Sequence, residues 1–524
     1  MVVYRRTLQR RKRGNIAMRI MFIKPHLETD AVWDPIRTST YLGIWFMASL
    51  LKSLGHEVRY LDEIVRNNGL ARQTLFQRTL AGDKLTEIPM DSTFAEFHES
   101  KMEDFNQLSP QKFVRKYTAF QDNGSITRII VRTGNDIKDT LQKVARFQPN
   151  IVGIPLISTA NYLPATRLGK VIKDAFPEIK LIFGGQHITA EYRAFLAENP
   201  WVDQVVVGDA ISVIANIISG EITDRVVMGG SQAMNQFSLL DPSIISNCGY
   251  PSEPTHAFTS SGRKAVDFMF SKGCPGHCEF CVAGSQGGCL TATTTEEIER
   301  QLLLFRKHGI EELIIQDDAF LANEAHLFEM LRLMKKHGFY WQNNGGLDFA
   351  MLSDEITEQF VNYNRMGNGR ITALYIPFNP RPWNKSESAA GSMISKYDRS
   401  FRNLMKLREA EIYVFTSEII GTPDQTIETL ESDIELHRSM IQDGHLDAVL
   451  TLTATLLPGT KWFKENRQMI VNERDFPGYS LFTTHHHTSH IPNPRTIEEF
   501  TIRRGQKLNE VQKTHQWGSA FPNC

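Results

Sequence analysis

The sequence predicts an α/β protein in which a doubly wound parallel sheet is followed by a partial barrel of six strand–helix units. Apolar runs of strand length alternate with helical periods over residues 18–222, and the alternation resumes over residues 263–463. Strand, helix and strand in this order imply parallel pairing. Polar and glycine motifs follow these strands, where both architectures carry their ligand-binding loops.

Composition limits the class of protein. The chain has 524 residues, a net charge of −1 and no apolar run of membrane-spanning length, so we expect neither a nucleic acid partner nor a membrane. Its six cysteines are clustered rather than spread as a disulfide framework, which predicts a reducing, cytoplasmic location. Residues 1–17 are strongly basic, and we interpret them as a disordered tail or as sequence before a true start at Met18.

The first domain is predicted over residues 18–222. Its first half contains an apolar strand at 19–24, a helix at 41–54 stopped by Gly55, and a strand at 57–62. Residues 63–135 are charged and weakly periodic, and we predict a helical insertion that is either surface decoration or a cap on the substrate side. Strands at 151–156, 180–183 and 205–207 and helices at 160–175 and 189–198 complete the domain. Residues 223–262 are predicted to be a linker.

The second domain is predicted over residues 263–463. Its strands are expected at 265–270, 312–316, 341–344, 372–376, 411–420 and 448–455, with crossover helices between them. Thr294 to Glu297 reads as a helix start with a capping box. Loops at the carboxyl ends of such strands carry function in barrels.

Three cysteines follow the first strand of this domain at a spacing of C-x3-C-x2-C: Cys274, Cys278 and Cys281. Thiolates are the usual ligands of iron–sulfur clusters, and three ligands to a four-iron cluster leave one iron open to another ligand. The alternatives are a structural zinc site, with Cys289 or His277 as an added ligand, or three unrelated cysteines.

This motif resembles the signature of the radical S-adenosylmethionine (SAM) superfamily, in which an aromatic residue such as Phe280 precedes the third cysteine. The resemblance implies that a [4Fe-4S] cluster binds SAM and cleaves it to a 5′-deoxyadenosyl radical. It further implies an external electron donor such as flavodoxin or ferredoxin.

The same resemblance assigns SAM-binding positions to later loops. Gln316, Asp317 and Asp318 match the strand end beside the SAM amino group, and a carboxylate there can accept hydrogen bonds from an ammonium. Leu457 and Pro458 match the turn near adenine, and Asn379 takes the position near the ribose. Residues 421–426 resemble the family's G-x-P-G-E-T turn but carry Asp424-Gln425 in place of Gly-Glu.

Residues 18–222 resemble the cobalamin-binding domain that precedes many radical SAM cores. The resemblance lies in glycines and polar residues after the strands, and it implies cobalamin contacts from Ser158, Thr159, Gly184, Gly185, His187 and Gly208. The D-x-H-x-x-G motif that supplies an axial histidine is absent. Neither His26 nor His187 is assigned as an axial ligand. A generic nucleotide-binding domain is the alternative, but no G-x-G-x-x-G or G-x4-G-K-[ST] follows a predicted strand.

Residues 464–524 form a C-terminal extension with histidines at 485–487 and 490. A histidine run can bind metal; alternatively, this segment covers the active site and binds acidic groups of the substrate.

Together these resemblances imply a cobalamin-dependent radical SAM C-methyltransferase. Methylcobalamin would deliver a methyl group to an unactivated carbon of a small biosynthetic substrate, polar or anionic, such as a phosphonate or sugar. The alternatives are a radical SAM dehydratase, cyclase or rearrangement enzyme with a non-functional cobalamin-like domain, and a cobalamin or redox sensor.

Overall fold

A computed structural model describes residues 17–32, 39–66, 69–82, 84–121, 124–230, 234, 239–246, 248, 261–285, 290–345, 347, 349–377 and 393–512. The strands in chain order are β1 (Arg19–Lys24), β2 (Leu27–Asp30), β3 (Glu57–Asp62), β4 (Val65–Arg66), β5 (Gly69–Leu70), β6 (Gln73–Ala81), β7 (Lys84–Pro89), β8 (Ile126–Thr133), β9 (Ile151–Pro155), β10 (Lys180–Gly184), β11 (Gln204–Gly208), β12 (Val226–Gly229), β13 (Ala265–Phe268), β14 (Ser271–Lys272), β15 (Thr291–Ala292), β16 (Glu312–Ile315), β17 (Tyr340–Asn343), β18 (Ile371–Tyr375), β19 (Tyr413–Ile420) and β20 (Ala448–Thr453).

The helices in chain order are α1 (Leu42–Ser53), α2 (Phe94–Gln107), α3 (Pro110–Tyr117), α4 (Ile137–Phe147), α5 (Tyr162–Ala175), α6 (Gln186–Glu198), α7 (Ile214–Ile218), α8 (Pro242–Ser246), α9 (Val282–Ser285), α10 (Thr295–Lys307), α11 (Glu324–Lys336), α12 (Asp354–Arg365), α13 (Met393–Glu409), α14 (Ile427–Gln442), α15 (Lys461–Asn466) and α16 (Pro494–Asn509).

The chain divides into two compact units, the first comprising residues 1–28, 40–73 and 132–251. Its parallel sheet has the order β12-β11-β10-β9-β1-β3. Helices on the crossovers make this the expected doubly wound sheet, in which the strand order reverses between β9 and β1. Gly153 permits the close pairing of these two strands, because a Cβ there would lie 2.7 Å from the Phe22 ring.

The segment predicted as a linker differs from the expectation. It contributes β12, which pairs with β11 in parallel, and α8. The Asp241 carbonyl before α8 accepts a 2.8 Å hydrogen bond from the Trp45 indole, and the Asp241 carboxylate pairs with Lys52 at 2.7 Å. Strand β12 and helix α8 therefore belong to the first unit, and with four and five residues they were too short to be recognised from the sequence pattern.

The second unit comprises residues 29–39, 74–131 and 252–524. Its main sheet is parallel, with strands in the sequential order β13-β16-β17-β18-β19-β20. Helices α10 to α14 connect successive strands after β13, which gives the expected partial (β/α)6 barrel. The Thr294 hydroxyl accepts the Glu297 N–H and so begins α10 where the sequence predicted.

The prediction of a helical insertion at residues 63–135 was wrong in secondary structure. The segment contains α2 and α3 but also strands β4 to β8, and β6 pairs with β7 as an antiparallel hairpin. Most of a second sheet, of order β2-β8-β6-β7, lies in the second unit. Because β7 is an exposed edge strand with several polar residues, its two-residue period was hard to distinguish from a loop.

Candidate functional site

The three cysteines lie on the loop that follows β14, at the carboxyl end of the barrel's first strand. Cys274, Cys278 and Cys281 are half-buried, and none is in a disulfide. The Gly276 N–H donates to the Cys274 Sγ at 3.3 Å, and the Cys281 N–H donates to the Cys278 carbonyl at 3.0 Å. A Cβ on Gly276 would lie 3.3 Å from the Cys274 Sγ and 3.9 Å from the Cys278 Sγ, so two thiols flank this glycine.

These thiols are a suitable donor set for a four-iron cluster. Within the described residues, no group of three His, Cys, Asp or Glu side chains is arranged to hold one metal ion. A four-iron cluster does not need that arrangement, because each thiolate binds a separate iron. Cys289 lies outside the described residues.

The start of this loop is held by the end of β16. The Asp317 carboxylate is buried and accepts the backbone N–H groups of Phe270 at 2.8 Å and Ser271 at 2.7 Å. The Gly273 N–H donates to the exposed Asp318 at 2.9 Å, and the Gln316 amide donates to Asp267 at 2.7 Å. Burial raises the pKa of Asp317 to about 7. Asp317 and Asp318 thus hold the backbone that leads into the cysteine loop, whereas Gln316 bonds to β13.

The other end of the loop packs against α15, the helix that follows the turn after β20. The Phe280 ring lies 5.4 Å from the Trp462 ring. The backbone N–H of Trp462 donates to the Glu279 carbonyl at 3.1 Å. Phe280 joins a buried apolar cluster with Leu456, Trp462 and Tyr479, among others. The structure therefore brings Phe280 next to the helix that follows the predicted adenine turn, and no pattern in the sequence indicated Trp462 or Tyr479 as its neighbours.

The turn after β20, Leu457 to Thr460, is stabilised by the side chain of Thr460. Thr460 donates its hydroxyl to the Leu457 carbonyl at 2.8 Å and caps α15 by accepting the Phe463 N–H. Pro458 is buried and Leu457 half-buried. The preceding Leu456 N–H donates to the Nε2 of His485 at 3.3 Å.

The turn after β19, residues 421–426, has Gln425 where the G-x-P-G-E-T pattern has glutamate, and the structure shows what this glutamine does. The Gln425 Oε1 accepts the N–H groups of Gly421 at 2.6 Å and Thr422 at 3.3 Å. An amide oxygen therefore supplies the acceptor that a glutamate would supply. Gly421 has a φ of +76°, which favours glycine.

The histidine run is internal. His485 and His486 are almost fully buried, and His486 Nε2 donates to the Gly421 carbonyl at 2.8 Å. Burial lowers the pKa of His486 to about 4, and that of His485 falls well below its usual value. The expectation that the run binds substrate acids does not hold for these two residues, because their imidazoles bond to the protein. His490 is exposed.

Near the predicted ribose position, only part of the loop is described. Asn343 holds the end of β18 by accepting the Tyr375 N–H at 2.9 Å and donating to its carbonyl at 3.1 Å. The Tyr375 hydroxyl contacts the Ser417 hydroxyl at 2.5 Å. Asn379 lies outside the described residues, so its assignment stays a prediction.

In the first unit, the carboxyl ends of β9, β10 and β11 bring several predicted residues together. The Thr159 hydroxyl lies 2.9 Å from Nδ1 of His187, and both side chains are buried. Burial lowers the pKa of His187 to about 4. The half-buried Ser158 accepts the Ala160 N–H at 3.3 Å. His187 therefore joins two strand-end loops and keeps a neutral ring.

The glycines at these strand ends have distinct constraints. Gly185 has a φ of +114°, and a Cβ there would lie 2.6 Å from the Leu156 carbonyl oxygen. Gly208 has a φ of +87°, and a Cβ would lie 2.6 Å from the Gly229 oxygen. Gly184 has room for a Cβ, whose nearest neighbours would be at 3.7 and 3.8 Å. Backbone crowding thus requires glycine at 185 and 208 independently of any ligand.

His26 is buried rather than exposed on a loop. Its Nε2 lies 3.6 Å from Glu28, which also pairs with Arg132 at 2.7 Å and Arg167 at 3.2 Å. A Cβ on Gly134 would lie 2.2 Å from the His26 Cβ. The residue is therefore enclosed by its own domain, a placement that sequence reasoning could not anticipate.

Comparison with known proteins identifies both domains. The model of the B12 binding domain matches residues 118–218, and that of the Radical SAM superfamily matches residues 268–437. The predicted cofactors, a [4Fe-4S] cluster, SAM and cobalamin, are confirmed by these two matches.

Individual relatives are distant. An anaerobic magnesium-protoporphyrin IX monomethyl ester cyclase of Cereibacter sphaeroides is 23% identical over 72% of this chain, which spans only 60% of the length of that protein. An uncharacterized methyltransferase of Pyrococcus horikoshii is 24% identical, over 62% of this chain and 70% of its own.

One solved structure shares the fold over most of both chains. The radical S-adenosylmethionine methyltransferase TsrM of Kitasatospora setae, with cobalamin and a [4Fe-4S] cluster bound, has a TM-score of 0.54 and 12% identity, over 95% of this chain and 90% of its own. Among the helices described here, none has the length and apolar character needed to cross a membrane.

Proposed function

Because this chain is a radical SAM protein with a B12-binding domain, we propose that it methylates an unactivated carbon of a small biosynthetic substrate. The occurrence of the three-cysteine loop and the glycine-bordered strand ends in one chain supports this proposal most directly. The Kitasatospora and Pyrococcus proteins, both described as methyltransferases, point the same way.

Each domain has a separate task in this proposal. Cys274, Cys278 and Cys281 would hold the cluster. Asp317 and Trp462 bond to the two ends of the cysteine loop and would thereby fix the position of the cluster. Gly184 and the Thr159–His187 pair would line the cobalamin crevice. When bound, the cluster with SAM supplies hydrogen abstraction and cobalamin supplies the methyl group, so the protein binds, orients and excludes water.

We propose a polar small molecule, such as a phosphonate or sugar, as the substrate. The buried histidines 485 and 486 lend this no support, since they bond internally. Cyclisation or rearrangement is the second candidate reaction, favoured by the cyclase of Cereibacter sphaeroides.

Product stoichiometry tests the proposal. The anaerobically reconstituted enzyme is given SAM with a deuterated methyl group and candidate substrates, and products are quantified by mass spectrometry. We expect 5′-deoxyadenosine and S-adenosylhomocysteine in about equal amounts and deuterium in the product, because each cofactor performs its own step.

A matched variant separates the two uses of SAM. Cys278→Ala should abolish 5′-deoxyadenosine formation but retain S-adenosylhomocysteine formation from SAM and reduced cobalamin. A substrate consumed with 5′-deoxyadenosine alone and no added methyl group would refute methyl transfer and favour cyclisation or rearrangement.

A further inference from the structure

We propose that His485 is a positioning residue for SAM, acting through the turn Leu457–Thr460. Its imidazole holds the backbone N–H of Leu456, the residue directly before this turn, at 3.3 Å. The inference rests on the proposed assignment of that turn to SAM binding, and it does not depend on methyl transfer.

The residues that lead into the turn are held by the C-terminal extension. Leu456 is fully buried, so its N–H needs a partner within the protein. The hydroxyl of the neighbouring Thr455 donates to the Ser480 carbonyl at 2.9 Å, and the Thr453 N–H donates to the Leu481 carbonyl at 2.6 Å. Three residues that lead into the turn therefore bond to residues 480–485.

The bond to Leu456 fixes the protonation state of His485. A nitrogen that accepts an N–H carries no proton, so the proton lies on Nδ1 and the ring is neutral. His486 has the opposite tautomer, because its Nε2 donates to the Gly421 carbonyl. Two consecutive histidines thus hold the loops after β20 and β19, one as acceptor and one as donor.

The imidazole of His485 is itself held in place. Its ring lies 4.8 Å from Tyr479 and 4.9 Å from His486. The carbonyl of Thr484, the residue before His485, accepts a 2.9 Å hydrogen bond from the Arg128 guanidinium. Tyr479 also belongs to the apolar cluster with Phe280, the residue before the third cysteine. His485 therefore connects the turn to the packing around the cysteine loop.

Two substitutions of similar volume isolate the acceptor. His485→Gln offers an amide oxygen to the Leu456 N–H, whereas His485→Met fills the space with a much weaker acceptor. His490→Ala changes an exposed histidine of the same segment and is the control.

The measurements are amide hydrogen exchange of Leu456, the Kd of SAM by anaerobic equilibrium dialysis, and the unfolding midpoint. We expect His485→Met to speed exchange at Leu456 and to weaken SAM binding about tenfold, the effect of one lost hydrogen bond. His485→Gln should restore both to within about threefold of the native values, and His490→Ala should change neither.

Unchanged SAM affinity in a folded His485→Met protein would overturn the inference, as would equal losses in the Gln and Met variants. Gly459→Ala, which alters the turn itself at a φ of +93°, distinguishes the two assumptions. If Gly459→Ala weakens SAM binding while His485→Met does not, the positioning role fails and the turn assignment stands. If Gly459→Ala also leaves SAM affinity unchanged, the turn assignment fails, and the inference fails with it.

Discussion

Asp317 and Ser271 are joined by two hydrogen bonds, in which one carboxylate oxygen accepts the backbone N–H at 2.7 Å and the hydroxyl at 2.5 Å. Asp317 follows β16, and Ser271 lies three residues before Cys274. The end of one barrel strand therefore fixes where the cysteine loop begins.

Removal of this carboxylate should weaken both fold and cluster binding. In Asp317→Ala, the buried N–H groups of Phe270 and Ser271 lose their acceptor, so we expect the free energy of unfolding to fall by about 1–3 kcal/mol. Iron and sulfide content after reconstitution should fall as well. Asp318→Ala, which removes one bond to Gly273 from an exposed carboxylate, should have a smaller effect. Full cluster loading and native stability in Asp317→Ala would contradict this role.

The three loop cysteines should each be essential for the cluster. Replacement of Cys274, Cys278 or Cys281 by Ala should abolish iron binding and 5′-deoxyadenosine formation, since each thiolate binds one iron. Cys248→Ala is the matched control. Its thiol donates to the Tyr60 carbonyl at 3.3 Å, and burial raises its pKa to about 12, which disfavours the thiolate form that binds iron. If Cys289→Ala also abolished the cluster, a four-ligand site would be favoured.

The two neighbouring glycines of the first unit should respond differently to substitution. Gly185→Ala places a Cβ 2.6 Å from a backbone oxygen at a positive φ, so the unit should lose stability with or without cobalamin. A Cβ at Gly184 meets only ordinary contacts, so we expect Gly184→Leu to fold but to lose cobalamin while the cluster spectrum stays intact. Thermal unfolding and bound cobalt measure the two effects. Retention of cobalt in Gly184→Leu would favour a structural role for this domain.

A buried arginine joins distant parts of the second unit. Arg128 binds Asp475 through two nitrogens at 2.5 and 2.8 Å and Asp30 at 3.0 Å. In Arg128→Met, both buried carboxylates lose their partner, so we expect a loss of about 3–5 kcal/mol in urea unfolding. Arg503→Met, on the partly exposed side of α16, should cost less than about 1 kcal/mol. Equal losses of unfolding free energy in the two variants would contradict the role of Arg128 as a buried link between Asp30 and Asp475.

Stability should depend on His486 in mildly acid solution. Its pKa is about 4 in the folded protein and about 6.5 in the unfolded chain. Between these values the unfolded chain binds more protons, so this residue makes stability fall as the pH falls from about 6.5 to 4. His486→Gln keeps a donor for the Gly421 carbonyl and should flatten the dependence of unfolding free energy on pH. His490→Ala should leave the slope of unfolding free energy against pH unchanged. An unchanged slope in His486→Gln would disprove the contribution of His486 to this pH dependence.

Local patterns in the sequence determined the two α/β domains, the positions of all strands of the two parallel sheets except β12, and the cysteine motif. Strand and helix periods, glycine stops and the C-x3-C-x2-C spacing extend over a few residues, so they are readable without a structure. For the same reason Phe280, Asp317 and Leu457 could be placed at strand ends.

Only the tertiary structure decided which partner each of these polar groups takes. Arg128 and Asp475 are 347 residues apart, and His485 meets Leu456 across a turn of the extension. Local patterns carry no information on such pairs, because burial and hydrogen bonding depend on elements that meet only after folding. Only the structure shows that His485 and His486 are buried and that the Gln425 amide accepts hydrogen bonds from its own turn. Likewise, only the structure shows that the segment 63–135 contributes three strands to a four-stranded sheet.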